Sequence, residues 1–314
     1  MRSARSLVTL AVVAFSARCG DPTGLGPPQL IDTVLLPGGP LGVAVWGNIA
    51  YVSRDGAATL QRLNLVNSQF TDSVFVGNVP CYLVFNAAGT KAYVANQYSQ
   101  SVSVIDVATN TQSRTIPVTG DPLPVAITAD GNTLFVTTNV NRLYKIALAN
   151  DSIVDSLSLP ATSHHLLMHP NGTLLYVATR DGGSVLEVNW QTMTVARTFT
   201  LGGTTQGMAI SLDQQELYVA DETMNRLRIV NLATGTAAPP VPLAGGGEGL
   251  ALSADGTRLY VGLVFAGKVQ VLDRASRTTL DTITTGGVPR EIAVDAARSR
   301  VLVANEAGWV DIIR

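Results

Sequence analysis

The sequence predicts an all-β chain built as a single seven-bladed β-propeller with four antiparallel strands per blade. Three observations carry this: an aromatic β-run that recurs at fixed spacing, four short strand signals in each repeat, and a last repeat one strand short that the start of the chain can complete. The recurring position is Tyr51, Tyr93, Phe135, Tyr176, Tyr218, Tyr260 and Leu302, in steps of 42, 42, 41, 42, 42 and 42 residues. A regular period in this range marks a repeat architecture. A single blade cannot bury both of its faces, so each needs a neighbour on either side. Seven matches give seven blades, and a β-sandwich offers no reason for so strict a period.

The second repeat shows the elements in order. Tyr82-Leu83-Val84-Phe85 is an apolar strand and Asn86-Ala87-Ala88-Gly89 a turn. Ala92 to Ala95 is the second strand, Val102 to Asp106 alternates by period two as the third, and Thr115 to Val118 is the fourth. Turn pairs recur as Asp130-Gly131, Asn171-Gly172 and Asp255-Gly256, each between apolar runs, which is a hairpin signal. The last repeat ends with Trp309-Val310-Asp311-Ile312-Ile313 and has no fourth strand. Ile31 to Leu36, followed by Gly38-Gly39, resembles the Leu280 to Gly287 stretch that precedes that repeat. This N-terminal strand is expected to complete the last blade, closing the ring and covering an exposed sheet edge.

Composition narrows the function classes. The chain has 314 residues, 46% hydrophobic and 14% charged, with a formal net charge of -2. Its three lysines, Lys91, Lys145 and Lys268, fall in different repeats. Nucleic-acid affinity comes largely from clustered basic side chains on phosphate, so nucleic acid is not an expected partner. The expected partner is a protein or a small molecule at one propeller face, with the chain a monomer. No motif demands a cofactor or a metal.

The N-terminus reads as export machinery. Arg2 and Arg5 precede an apolar run, Leu7 to Phe15, of signal-peptide length and too short to span a bilayer. Residues 1–19 are therefore expected to be a signal peptide, 20–29 a Gly/Pro-rich tether and 30–314 the propeller. Cys19 follows the apolar run where a lipoprotein signal places its acylated cysteine, although Ser16 and Arg18 depart from that pattern. Membrane attachment would come only through that lipid. Cys81 is the remaining cysteine, so no disulfide framework is expected.

Several stretches together resemble the YVTN-type β-propeller repeat of exported bacterial proteins. They are Tyr93-Val94-Ala95-Asn96, Tyr218-Val219-Ala220-Asp221, Val301 to Asn305, the Val104-Ile105-Asp106 and Val271-Leu272-Asp273 strand ends, and Ala126 to Gly131. The resemblance spans roughly residues 31 to 314. It implies the propeller fold and a place in the periplasm, on a membrane anchor or at the cell surface. It also brings lactonase and reductase relatives into view, but no shared catalytic motif, so it transfers no active site.

Candidate site residues follow from topology. The inner strand of each blade is led into by residues at the mouth of the central channel. Aligned by the repeat, these pairs are Leu41-Gly42, Cys81-Tyr82, Leu123-Pro124, His164-His165, Gln206-Gly207, Glu248-Gly249 and Arg290-Glu291. The first three are mostly apolar, whereas the last four carry His164, His165, Gln206, Glu248, Arg290 and Glu291. The mouth is therefore expected to be lopsided, with this polar arc exposed on loops of one rim. The loops leaving the second strands share that rim and add Asp221-Glu222 and Asn305-Glu306, among others. Adjacent residues on an extended chain face opposite ways, so at most one of His164 and His165 should face the channel. The favoured reading is a binding or scaffold protein. The rival is a lactonase-like hydrolase or another metal-assisted enzyme at the same mouth. His169 reads as a turn residue, Gly245-Gly246-Gly247 as a tight loop, and Cys81, Trp46, Trp190 and Trp309 as packing residues.

Overall fold

The computed structural model describes residues 26–314, so the export segment and Cys19 lie outside the described residues. The second repeat folds as Pro80–Phe85, Lys91–Asn96, Ser101–Asp106 and Thr111–Pro117, hydrogen-bonded in that order as one antiparallel sheet. The other repeats follow suit, giving seven four-stranded sheets among the described residues. Numbered along the chain, the blades have inner strands Pro40–Trp46, Pro80–Phe85, Pro122–Ile127, Ser163–Met168, Thr205–Ile210, Gly247–Leu252 and Pro289–Asp295. Each inner strand touches the next, and the seventh touches the first, so the ring is closed.

Closure uses the N-terminal strand. Leu30–Leu35 pairs antiparallel with Trp309–Ile313 and completes blade seven. The ladder extends past both ends: Gln29 and Arg314 exchange backbone bonds of 2.9 and 3.0 Å, and the Leu36 N–H donates to the Gly308 carbonyl at 2.8 Å. The Thr33 hydroxyl donates to Asp311 at 2.8 Å. Leu36 then buries against Val43, Val52 and Val310. Blade five departs from the pattern, because its fourth strand shrinks to Val241–Pro242 and an isolated bridge between Val230 and Ala237. Pro239 and Pro240 have no N–H to give to a ladder, which explains the interruption.

The core is not central but lies between blades. Seven apolar clusters occur among the described residues, one per blade interface. The repeated aromatic position sits inside them: Tyr51, Phe135, Tyr176 and Tyr218 are fully buried. Each such ring removed from water contributes roughly 2–3 kcal/mol, so the period in the sequence is the period of these interfaces.

The residue ending the second strand has its own task. The Asn96 side chain accepts the Gly77 N–H at 3.1 Å, and Asn305 accepts the Val288 N–H at 2.8 Å. Asp221 accepts the Thr204 and Met224 N–H groups, both at 3.1 Å. In blades two, five and seven the loop into the inner strand is thereby tied to the end of the strand beside it. Gly203 precedes one such loop at a φ of 72°, and a Cβ there would collide with the Asp221 carboxylate. The Tyr-Val-Ala-Asn/Asp signature is thus a packing aromatic followed by a loop tether.

Candidate functional site

Every inner strand carries an irregularity at the same point. The register shifts between Pro40 and Val43, Pro80 and Leu83, Pro122 and Val125, Ser163 and His165, Thr205 and Met208, Gly247 and Leu250, and Pro289 and Ile292. These breaks frame the residues singled out by the repeat alignment, except His165, which pairs with Ala178 in the ladder. A bulge leaves its residues out of the ladder and re-aims their side chains, here toward the channel mouth. At Gly249 a Cβ would collide with the Arg290 carbonyl oxygen, so glycine lets the next inner strand approach.

The expectation of an exposed arc on loops needs correction. His164, His165, Gln206, Glu248, Arg290 and Glu291 all lie on inner strands, not loops. Gln206 is 2% exposed and Glu248 9%, while the other four are half-buried. The bulge is the reason, since it keeps these residues inside the sheet while turning them into a cavity. That cavity has a volume of about 580 Å³ and is lined by His164, Gln206, Glu248, Arg290 and Glu291. His165 does not line it, and its Nδ1 is buried with no hydrogen-bond partner among the described residues. One of the two histidines faces the mouth.

Charge is organised in two clusters. Arg290 bridges Glu248 and Glu306, each at 2.6 Å. Arg180 meets Glu222 at 3.3 Å, and the Gln206 amide donates to the same Glu222 carboxylate. Glu222, Arg180 and Glu306 stand at the ends of second strands and complete the mouth from the adjoining loops. Sequence reasoning placed Glu222 and Glu306 on this rim but did not count them, or Arg180, among the candidate site residues. It also assigned Tyr82 to the apolar arc, whereas its phenol lies near enough to Glu248 and Glu291 for both to raise its pKa beyond the effect of burial. Its place in the same bulge pair was the available signal.

Titration follows from burial. The Glu291 carboxyl is pushed up to about 8, first by burial and then by the negative Glu248. Burial also raises Glu248, and Arg290 beside it offsets this only in part. Burial lowers both His164 and His165 to about 4, with Arg180 adding to the effect at His164. At neutral pH the mouth therefore holds a protonated carboxyl and the neutral His164 imidazole beside ion-paired carboxylates. Between pH 4.5, the ordinary value, and about 8, folded Glu291 keeps a proton the unfolded chain has lost. Its contribution to stability is thus present at low pH and lost as pH rises through that window. Glu291→Gln should match the parent melting temperature at pH 5 and exceed it by several degrees at pH 8.5. A difference that does not change with pH would contradict the assignment.

Other candidates resolve as structure. Cys81 is buried, its thiol directed at the carbonyls of Ala95, Pro122 and Leu123, and burial pushes it up to about 12, far from nucleophilic use. His169 accepts the Asn171 N–H at 3.0 Å within its turn. The indoles of Trp46, Trp190 and Trp309 donate to Ala87, Gly172 and Asp311, and Trp46 is 41% exposed at the far rim, more open than a packing role implies. Gly245 and Gly246 form a tight loop against Ala266 and Phe265. Among the described residues, no group of three or more His, Cys, Asp or Glu is placed to hold a metal ion.

Fold and mouth together define a seven-bladed β-propeller with a polar pocket at one end of its channel. No family model matches the chain. It is 26% identical over 152 residues to the seven-bladed beta-propeller protein Rv1057 of Mycobacterium tuberculosis. That match covers 45% of this chain and 39% of the relative's own length. Among solved structures, Kuenenia stuttgartiensis hydrazine synthase superposes with a TM-score of 0.83 at 19% identity, covering 89% of this chain and 96% of that one. At that identity the likeness shows the fold alone.

Proposed function

We propose that this chain is an exported binding or scaffold protein of the cell envelope, of the YVTN type, that holds a protein or small-molecule partner at the channel mouth. The observation that carries this is the mouth itself, a cavity of about 580 Å³ with polar groups converging from blades four to seven and Leu41, Val79 and Leu123 opposite. Such a volume and mixed lining suit a small ligand. The surrounding collar supports a partner on the same face. Tyr98, Val140, Met224 and Phe265 are exposed at the second hairpins of blades two, three, five and six, which open on that rim.

A thermal-shift screen of small polar compounds tests the reading. Ligands should raise the melting temperature of the parent protein and of Trp46→Ala, altered at the opposite rim. They should fail to do so with Arg290→Met combined with Glu248→Gln. Shifts that persist in the double variant would move the site elsewhere. Lactone turnover lost on His164→Ala and on chelation would replace the binder with an enzyme.

The export reading rests on Arg2, Arg5, the Leu7 to Phe15 run and Cys19. It divides the chain into signal peptide (1–19), tether (20–29) and propeller (30–314). Mass spectrometry of the natural protein should find an N-terminus at Cys19 bearing acyl chains. A free N-terminus at another residue would remove the lipid, and an intact Met1 would remove export.

A further inference from the structure

The mouth is unevenly charged once its internal pairs are counted. Its lining holds the carboxyls of Asp55, Glu248, Glu291 and Glu306 against two guanidiniums, Arg180 and Arg290. Both guanidiniums are engaged: Arg290 by Glu248 and Glu306, each at 2.6 Å, and Arg180 by Glu222 at 3.3 Å. An anionic ligand would have to break these pairs and face the remaining carboxyls. The Glu291 carboxyl lines the cavity, and among the described residues no hydrogen bond or ion pair reaches it. Tyr82 lines the same cavity, and its phenol senses the charges of both Glu248 and Glu291. Leu41, Val79 and Leu123 add apolar wall.

We infer that the channel mouth is a receptor site for a small organic cation, an ammonium group on an apolar body, held by the Glu291 carboxylate with the Tyr82 ring alongside. This rests on the reading of the mouth as a binding site and names its ligand class. A carboxylate supplies the opposite charge, and an aromatic face attracts a cation through its quadrupole. A metal ion is the weaker fit, because no set of three or more His, Cys, Asp or Glu converges among the described residues. An ammonium needs no such set, and the cavity has room for the hydrocarbon that carries it.

Binding should be linked to a proton. Empty, the mouth holds Glu291 as the neutral acid at pH 7, because burial and Glu248 push it up to about 8. The groups around it are Glu248 on blade six, Arg290 and Glu306 on blade seven, Tyr82 on blade two, His164 and Arg180 on blade four, and Asp55 on blade one. Of these, His164 is lowered to about 4 and Tyr82 raised well above its ordinary range, so neither gains or loses a proton near pH 7. A cation beside Glu291 favours its ionised form, and the proton leaves to solvent. The bound state is then an ammonium–carboxylate pair, with one proton released per ligand at most.

Calorimetric titration of the full chain decides the matter. The probes are benzylamine and benzyltrimethylammonium, with benzyl alcohol as the neutral counterpart and phenylacetate as the anion, each titrated at pH 7 in two buffers of different ionisation enthalpy. The expected result is that both cations bind at least tenfold more tightly than the neutral and anionic probes. Benzyltrimethylammonium, which has no proton to lose, should release between half and one proton from the protein. Glu291→Gln should weaken both cations at least tenfold and abolish the release, and Tyr82→Leu should weaken them while keeping it. Equal or tighter binding of benzyl alcohol or phenylacetate, lost on Arg290→Met, would overturn the cation while leaving the mouth a binding site. No binding of either cation at millimolar concentration, or proton release unchanged in Glu291→Gln, would overturn it as well. If, in addition, no compound in the thermal-shift screen acts through the mouth, the binding reading falls with it.

Discussion

Deleting residues 1–37 is expected to lower the melting temperature by at least about 10 °C, whereas deleting residues 1–28 should leave it nearly unchanged. The first truncation removes the strand Leu30–Leu35, its ladder with Trp309–Ile313, the Gln29 to Arg314 bond pair and the buried Leu36. Backbone bonds contribute about 0.5–1.5 kcal/mol each net, and burying one leucine roughly 2 kcal/mol more. Together these exceed about 5 kcal/mol, and at about 2–4 °C per kcal/mol for a domain of this class the shift reaches 10 °C or more. The deletion also bares the edge of Trp309–Ile313, an unpaired strand that invites association with other chains. The shorter truncation keeps Gln29 and the whole ladder, and removes the buried Pro28 and the Gly26 carbonyl that accepts from Arg258 at 2.7 Å. Equal melting temperatures for the two truncations would contradict closure of the ring by the N-terminal strand.

The second large effect is expected at Asp221, a residue with no exposed surface. Its carboxylate takes the Thr204 and Met224 N–H groups and pairs with Arg228 at 3.1 Å. Asp221→Ala leaves a largely buried guanidinium and two backbone donors unmatched, and breaking a buried pair in this way costs about 3–5 kcal/mol. Thermal unfolding should fall by on the order of 10 °C. Asp221→Asn should lose clearly less, because Asn305 holds the N–H of Val288, the counterpart of Thr204, at the equivalent point of blade seven. If the two variants lose equal stability, the loop tether is not what Asp221 provides.

The ring was legible because its cause is repetitive. Tyr51 through Leu302 report a blade interface every 42 residues or so, and each interface is made of the same side chains. The closing strand was legible for the same reason, since Ile31 to Leu36 copies the strand before the last repeat. The polar arc was legible as a set of residues but not as an environment. Whether Glu248 stands on a loop or on a strand depends on one register shift, between Gly247 and Leu250, that no local propensity announces. The pairings of Arg290 with Glu248 and of Gln206 with Glu222 join different blades or different strands. The first follows from the radius of the ring and the second from the strand register inside blade five, neither of which the repeat length specifies. Tyr82 was misplaced because its blade is apolar at the mouth, while its hydroxyl acts across the channel. The short outer strand of blade five could have been anticipated from Pro239-Pro240.

Amide hydrogen exchange of the full chain, with and without the strongest ligand from the thermal-shift screen, tests the binding mouth most directly. The account predicts protection on the inner strands Ser163–Met168, Thr205–Ile210, Gly247–Leu252 and Pro289–Asp295, and on the loops that carry Arg180, Glu222 and Glu306. Protection confined to the opposite rim, at the turns around Asn86, Asp130 and His169, would contradict it.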